Sequence, residues 1–297
     1  MDTSLGIGGF MKKSILTIMM VIVSATPATL SQSVKIKQKA STNSTKKDTI
    51  NENISSSVAK DFSFEKISIT KDGSVFVGGN YKSEGLMLKI IDNKFKVKKL
   101  SFIYSVHDIF FINQLIGWIS DNKFLYKTID GGDTWSKVQN TNVEHQGRIF
   151  FLDENYGWFV GKDAVLNLIK GDYTKVIYED QSYWTIKKLQ FLNQSEGWMS
   201  QYGSGQYLFQ NTIDGGQTWE EVNVNETEWI SDFNFINENE GFVVGSDSKV
   251  YSTSDKGKSW QVIRDKSNTN IDVVFFLDRK TGWIGGSDVC RTINGLL

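Results

Sequence analysis

One eight-residue pattern decides the fold, and it occurs three times: "TIDGGDTW" at Thr128–Trp135, "TIDGGQTW" at Thr212–Trp219 and "TSDKGKSW" at Thr253–Trp260. In each copy a glycine follows the aspartate by two positions, and a tryptophan comes three positions later. An acidic, glycine-rich loop beside a tryptophan is compatible with a metal site, a sugar-binding site, a catalytic carboxylate or a tight turn. Its place in the larger repeat distinguishes these alternatives.

The larger repeat is marked by an apolar segment that ends in Gly-Trp or Gly-Phe. Successive glycines of this segment are 40, 40, 44 and 41 residues apart by subtraction, and they are Gly117, Gly157, Gly197, Gly241 and Gly282. A looser copy lies at Ile67–Gly79. A period near forty residues, built from short segments that alternate apolar and polar residues, is typical of a β-propeller. The sequence therefore predicts an all-β fold, a propeller of about six four-stranded blades over residues 62–297.

The last of the six predicted blades ends early. It stops at "RTINGLL", where a complete unit would continue through a turn into a fourth strand. Unpaired strand edges are unfavourable, so a closed ring is expected to find a partner for that edge. Two alternatives remain open: the last blade is incomplete, or an N-terminal strand near Phe62–Ile69 closes it.

The N-terminal segment is typical of a secretory leader. In "MKKSILTIMMVIVSA" (Met11–Ala25), two lysines precede a short apolar run and small residues. We expect a signal peptide within residues 1–30, with translation starting at Met11, and therefore a secreted or extracytoplasmic protein. An uncleaved leader is the alternative, and it would be the only contact with a membrane. Residues 31–61 are rich in Ser, Thr, Asn and Lys, and we expect a disordered basic linker.

The three glycine-rich loops are interpreted as turns between the third and fourth strands of their blades. Aspartate can accept N–H groups of its own turn, glycine can adopt a positive φ, and tryptophan can pack at the base. Only one acid recurs in every copy of the loop, which is too few ligands for calcium, so no metal and no cofactor are predicted. The residues with this structural role are Thr128, Asp130, Gly132 and Trp135; Thr212, Asp214, Gly216 and Trp219; and Thr253, Asp255, Gly257 and Trp260.

These motifs carry a family resemblance. The pattern S/T-x-D-x-G-x-T/S-W is the Asp-box, or bacterial neuraminidase repeat (BNR). Together with the Gly-Trp segments it resembles the photosystem II stability/assembly factor-like propeller family, over Ser101–Leu297 and more weakly back to Phe62. The resemblance implies a propeller that binds another macromolecule. Two units depart from it, because Asn167–Val176 and Ile90–Lys99 lack the box.

Catalysis is not expected. Sialidases share the Asp-box but need three convergent arginines, and the chain has only four arginines, two histidines and one cysteine in all. The net charge of −1 also gives no indication of nucleic-acid binding. The sequence thus favours a non-catalytic scaffold or assembly-factor-like propeller with a protein partner. A propeller that binds a glycan or cell-wall polymer is the alternative, and a divergent sialidase-like glycosidase is a third.

The predicted partner site lies on the loops that lead into the first strand of each blade, around the central channel. Aromatic and polar residues stand there in successive blades: Tyr104, His107, His145, Arg148, Tyr183, Trp184, Trp229, Asp232 and Asp272. An exposed, flat ring of Tyr104, Trp184 and Trp229 would favour glycan binding. The alternative that Trp184 and Trp229 pack between blades stays open, since large aromatic residues are usually buried.

Overall fold

The computed structural model describes residues 62–81, 84–92, 94–139, 141, 147–160, 166–170, 173–178, 184–224, 227–265, 271–286 and 289–292. The predicted signal peptide and linker lie outside the described residues, as do His145 and Tyr183. Within the described part, no helix has the length and apolar character needed to cross a membrane.

The described residues form six antiparallel sheets, each a simple meander, which we number as blades 1 to 6. Blade 1 contains β1 (Phe62–Ile69), β2 (Val75–Tyr81), β3 (Glu84–Ile91) and β4 (Lys94–Leu100). Blade 2 contains β5 (Asp108–Phe111), β6 (Gly117–Ser120), β7 (Leu125–Thr128) and β8 (Ser136–Lys137). Blade 3 contains β9 (Ile149–Phe151), β10 (Tyr156–Val160), β11 (Leu166–Lys170) and β12 (Tyr173–Tyr178).

The remaining three sheets continue the pattern. Blade 4 contains β13 (Thr185–Phe191), β14 (Gly197–Gly203), β15 (Gln206–Thr212) and β16 (Glu220–Glu221). Blade 5 contains β17 (Ile230–Phe235), β18 (Gly241–Gly245), β19 (Val250–Thr253) and β20 (Gln261–Arg264). Blade 6 contains β21 (Ile271–Phe276), β22 (Gly282–Gly286) and β23 (Val289–Thr292). The predicted all-β propeller of about six blades is confirmed.

Blade 6 has three strands among the described residues. The alternative that Phe62–Ile69 supplies its fourth strand is excluded, because this segment is β1 and pairs with β2 of its own blade, Ile69 opposite Val75. Its sequence explains this placement. Lys66, Ser68 and their apolar neighbours alternate as in the other first strands, so β1 begins a blade and does not end one.

The core lies between blades and is built from the Gly-Trp segments. Trp158 on β10 stacks on Phe191 of blade 4 with ring centroids 3.5 Å apart, and the corresponding pairs join the other described neighbours. These are Phe76–Phe111, Trp118–Phe151, Trp198–Phe235 and Phe242–Phe276. Gly157 is small for a reason: a Cβ there would lie 2.3 Å from the Phe151 ring. Each blade therefore depends on its neighbour for the burial of its largest side chain.

The two ends of the propeller carry different loops. At one end, the Asp-box turns bond to the turns between the first and second strands, as in Gly215 N to Ser195 O at 2.8 Å. We call this end the Asp-box face. At the other end, the segments leading into the first strands meet the turns between the second and third strands, as in Ser246 N to Trp229 O at 2.9 Å. We call this end the entry face.

Candidate partner-binding face

The Asp-box turns hold their aspartates in a closed hydrogen-bond network. In blade 4, Asp214 Oδ1 accepts the Thr212 hydroxyl at 2.8 Å and the Thr218 amide at 2.9 Å, and Oδ2 accepts the Thr218 hydroxyl at 2.6 Å. The Gly216 amide donates to the Thr212 hydroxyl at 2.9 Å, with φ of 94° at this glycine. Blades 2 and 5 repeat the network around Asp130 and Asp255. Both carboxylate oxygens are thus engaged inside the turn.

These bonds change the acidity of the aspartates. The Ser259 hydroxyl and amide lower the pKa of Asp255 to about 2. At Asp214, partial burial acts to raise the pKa, but the bonds from Thr218 and Thr212 prevail and bring it to about 2. Hydrogen bonds from Thr134 lower the pKa of Asp130 as well. A carboxylate held ionised and fully hydrogen-bonded is suited to fixing a turn and not to proton transfer at neutral pH.

The tryptophans of the boxes complete the turns in two blades and differ in the third. Trp219 Nε1 donates to Gly216 O and Trp260 Nε1 donates to Gly257 O, both at 3.0 Å. In blade 2, Trp135 Nε1 is buried and makes no hydrogen bond to the described residues. No group of three or more His, Cys, Asp or Glu side chains in the described part is placed to hold a metal ion.

Charged side chains on the first strands, or immediately before them, converge in the central channel. Lys66, Asp108, Arg148, Lys188 and Asp232 occupy matching positions in blades 1 to 5, and the matching residue in blade 6 is Val273. Burial and the guanidinium of Arg148 lower the pKa of Lys66, while Asp108 and Asp232 act in the opposite direction. Lys66 of blade 1 therefore lies near charged side chains from blades 2, 3, 4 and 5.

Two of the channel residues join neighbouring blades. Asp232 is buried, and its Oδ1 lies 2.7 Å from Lys188 Nζ of blade 4 while its Oδ2 accepts the Val274 amide of blade 6 at 2.9 Å. Asp108 Oδ2 likewise accepts the Ile149 amide of blade 3 at 3.1 Å. The candidate partner residue Asp232 is thus already engaged by side-chain or backbone groups of the two neighbouring blades, whereas Arg148 is half-buried in the channel.

The other predicted partner residues lie at different depths of the entry face. Tyr104 is 83% exposed, Trp229 is 36% exposed and Asp272 is exposed at the start of β21. His107 is half-buried beside the channel, where burial lowers its pKa and the carboxylate of Asp121 acts in the opposite direction. Trp184, in contrast, is only 6% exposed.

The burial of Trp184 corrects the expectation of an exposed aromatic ring. Its indole lies under the hairpin that joins β14 to β15, so close that a Cβ on Gly203 would be 2.7 Å from it. It packs in the core with Trp158, Ile186 and Met199. A flat ring of Tyr104, Trp184 and Trp229 is therefore not formed. Trp184 instead packs beneath the β14–β15 hairpin and holds it in place.

The hairpin above Trp184 carries aromatic residues that the sequence analysis did not select. Tyr202 and Tyr207 are 37% and 41% exposed, with ring centroids 4.4 Å apart. Tyr207 also stacks on Trp229 of the next blade, at 5.2 Å and an interplanar angle of 28°. Lys187 Nζ lies 5.9 Å from the Tyr202 ring centroid. We call Tyr202, Tyr207 and Trp229 the aromatic patch. A signal was present in "QYGSGQY", which places a tyrosine on each side of a tight glycine turn.

The described arginines do not form a carboxylate-binding triad. Arg148 lies at the channel, Arg264 is on the outer strand β20, and Arg279 is in the turn after β21, where it contacts Glu240. These positions belong to the channel wall, the periphery and the Asp-box face. The convergence that a sialidase requires is absent among these three side chains.

Comparisons with known proteins agree with this fold. The family model described as photosynthesis system II assembly factor YCF48 matches residues 169–268 and 212–290. A solved structure of "YCF48 bound to D1 peptide" is similar with a TM-score of 0.62 and 16% identity, over 79% of this chain and 80% of that one. YCF48 from Cyanidioschyzon merolae gives a TM-score of 0.58 and 13% identity, over 79% and 81%.

A glycoside hydrolase shares the architecture too. The GH74 enzyme of Niastella koreensis gives a TM-score of 0.61 and 12% identity, over 78% of this chain but 47% of the enzyme. No curated protein matches the chain. The repeats, the six sheets and these likenesses define a BNR-type β-propeller. Within that class, the chain resembles the photosystem II assembly factor YCF48.

Proposed function

We propose that this chain is an exported, non-catalytic β-propeller that binds a protein partner on its entry face, as a scaffold or assembly factor does. The observation that carries the proposal is the aromatic patch. Three large rings from two neighbouring blades contact one another there and remain more than a third exposed. Tyrosine and tryptophan at the centre of a surface are the residues that contribute most to protein–protein binding.

The patch is rigidly held, which favours binding. Tyr202 and Tyr207 form a cross-strand pair on the β14–β15 hairpin, and Trp184 packs beneath that hairpin. The hydrogen bond from the Ser246 amide to the Trp229 carbonyl holds the backbone of Trp229, and its indole stacks on Tyr207. Side chains that are ordered before binding lose less conformational entropy when a partner arrives.

Two further observations support a protein partner. The similar structure, "YCF48 bound to D1 peptide", has a peptide as its ligand, and the matching family model is that of an assembly factor.

The other parts of the proposal depend on different observations. The predicted leader supports export. The engaged aspartates of the Asp-boxes and the separated arginines support a non-catalytic role.

Glycan binding is the second candidate function, and Tyr207 and Trp229 favour it. Their rings are inclined by 28° and are partly exposed, and aromatic faces stack on sugar rings. Tyr202 is tilted by 38° to Tyr207, however, so the three rings do not form one flat platform. A tilted cluster fits the side chains of a peptide better than a planar sugar face.

The test is a cross-linked pull-down from the host envelope with three baits: the wild-type chain, Tyr207→Ala/Trp229→Ala and Ile129→Ala/Ile213→Ala. The last pair is the matched control, because Ile129 and Ile213 are highly exposed apolar residues on the Asp-box face. We expect one protein to be recovered by the wild type and the control but lost with the aromatic variant. A glycan recovered in the same pattern would support the second candidate. Equal recovery by all three folded baits would contradict both.

A further inference from the structure

A basic cavity lies at the Asp-box face, between blade 1 and the Asp-box turn of blade 2. Its volume is about 290 Å³. Four of the residues that line it are lysines, and the two acidic residues are Asp92 and Asp133. The lysines are Lys89, Lys94, Lys96 and Lys98.

The register of the β3–β4 hairpin explains why the lysines share one wall. Lys89 is directly opposite Lys96, Met87 is opposite Lys98, and Ile91 is opposite Lys94. Cross-strand partners project from the same face of a sheet, and so do alternate residues of one strand. Lys94, Lys96 and Lys98 therefore follow one another along β4 at intervals of roughly 7 Å, which is two residues of strand rise. We call these three residues the lysine ladder.

The charges of the ladder are only partly balanced. Asp133 Oδ1 lies 3.4 Å from Lys96 Nζ and 3.2 Å from Lys98 Nζ, so one exposed carboxylate serves two ammonium groups. Lys89 Nζ donates to the carbonyls of Gln114 and Gly131 and has no carboxylate partner among the described residues. Lys94 makes no ion pair within the described part. Like charges placed directly opposite on two strands are destabilising, as Lys89 and Lys96 are.

Protection of a sheet edge does not account for this arrangement. Lysines on an outer strand discourage pairing with another chain, and β4 is the outer strand of blade 1. The other described outer strands, however, contain at most one lysine each. The ladder also faces an open cavity that Gly131 and Asp133 of the next blade line from the other side. Lys99, on the opposite face of β4, pairs instead with Glu84 at 2.7 Å.

We propose that the lysine ladder binds a linear phosphate polymer that lies along β4, with Asp133 released to solvent. Lysine binds phosphate as a point charge. The three ammonium groups of the ladder follow the direction of one strand, so they can contact one extended polyanion. This site and the aromatic patch are separate.

The test measures binding of short-chain inorganic polyphosphate to the full chain by calorimetry at several salt concentrations. The ladder variant is Lys94→Gln/Lys96→Gln/Lys98→Gln. The charge-matched control is Lys123→Gln/Lys175→Gln/Lys258→Gln, three exposed lysines on blades 2, 3 and 5. Lys94→Arg/Lys96→Arg/Lys98→Arg keeps the ladder charge. Polyglutamate is the competing polyanion.

We expect the ladder variant to bind polyphosphate at least about tenfold more weakly and to show a salt dependence less steep by roughly two in the log–log slope. The control and the arginine variant should stay within about twofold of the wild type, since neither removes charge from the ladder. Absence of binding to the wild type, or equal losses in the ladder and control variants, would overturn the proposal. Polyglutamate binding as tight as polyphosphate, and as sensitive to the ladder, would overturn the assignment to phosphate.

Discussion

The turn between the third and fourth strands is built differently in blade 1 and in blades 2, 4 and 5. In the Asp-box blades, the aspartate carboxylate is satisfied by its own turn, and the loop bonds to the neighbouring turn of its blade. In blade 1, the turn passes through Asp92 at φ of 49°, and the strand that follows carries the lysine ladder. The Asp-box aspartates, whose hydrogen bonds are made within their own repeat, therefore have a structural role. Blade 1 lacks the box, and its outer strand carries charged side chains that can contact a ligand.

The largest effect on stability is expected from removing Trp158, whose indole contacts an Asp-box turn. Trp158 stacks on Phe191 and donates from Nε1 to Gly215 O of the blade 4 box at 2.9 Å. We expect Trp158→Ala to lower the free energy of unfolding by about 3–5 kcal/mol, because a large buried ring leaves a cavity. Urea denaturation measures this. Trp229→Ala is the control, since its partly exposed indole should cost less than about 1.5 kcal/mol, and equal losses would contradict the assigned packing.

Substituting one aspartate in each kind of turn tests the comparison directly. Asp214→Asn replaces one of the two acceptor oxygens by an NH₂ group, so the two bonds from Thr218, one to each oxygen, cannot both be kept. We expect a loss of about 1–2 kcal/mol in the free energy of unfolding. Asp92→Asn in blade 1 should change it by less than about 0.5 kcal/mol, because asparagine tolerates a positive φ and the Asp92 carboxylate makes no hydrogen bond to the described residues. Chemical denaturation of both variants decides this, and a reversed order would refute the structural role of the box.

The pH dependence of stability sharpens the same comparison. The pKa of Asp255 is lowered from 3.8 to about 2 by Ser259, so its contribution is complete above pH 4 and is lost as the pH falls to 2. We expect the melting temperatures of the wild type and Asp255→Asn to differ at pH 6 and to converge near pH 2. Scanning calorimetry across this window measures the difference. A gap that stays constant down to pH 2 would show that the carboxylate is not held by these bonds.

The smallest effect is expected at the ladder itself. Without a polyanion, Lys94→Gln should change the free energy of unfolding by less than about 0.5 kcal/mol, because an exposed lysine without a partner contributes little. Thermal unfolding at low and moderate salt tests this. A marked loss of stability would mean that Lys94 stabilises the fold. The turn of blade 1 would then be structural, like the Asp-box turns, and the contrast drawn between them would fail.

Much of the fold could be predicted from the sequence because its signals are local and repeated. The Gly-Trp spacing indicated six blades, and the alternation of apolar and polar residues indicated that the repeating units are built of strands. These signals depend on strand periodicity and turn chemistry, which act within one repeat.

The candidate site was less predictable because it depends on contacts between repeats. Burial of Trp184 follows from the path of the next hairpin over it, and the aromatic patch forms only because Tyr207 contacts Trp229 of another blade. The lysine ladder was visible in "KFKVKK", but its orientation toward Asp133 depends on how blade 2 packs against blade 1. Solvent exposure is a property of the assembled propeller and is not encoded in any single unit.

The most direct test of the proposed function places a photo-reactive benzoyl-phenylalanine at single positions of the full chain in the host. Tyr207 samples the aromatic patch, and Ile213, 72% exposed, samples the Asp-box face of the same blade. The proposed function predicts a discrete protein adduct on illumination at position 207 and none at position 213. Adducts at position 213 alone, or at neither position, would contradict partner binding on the entry face.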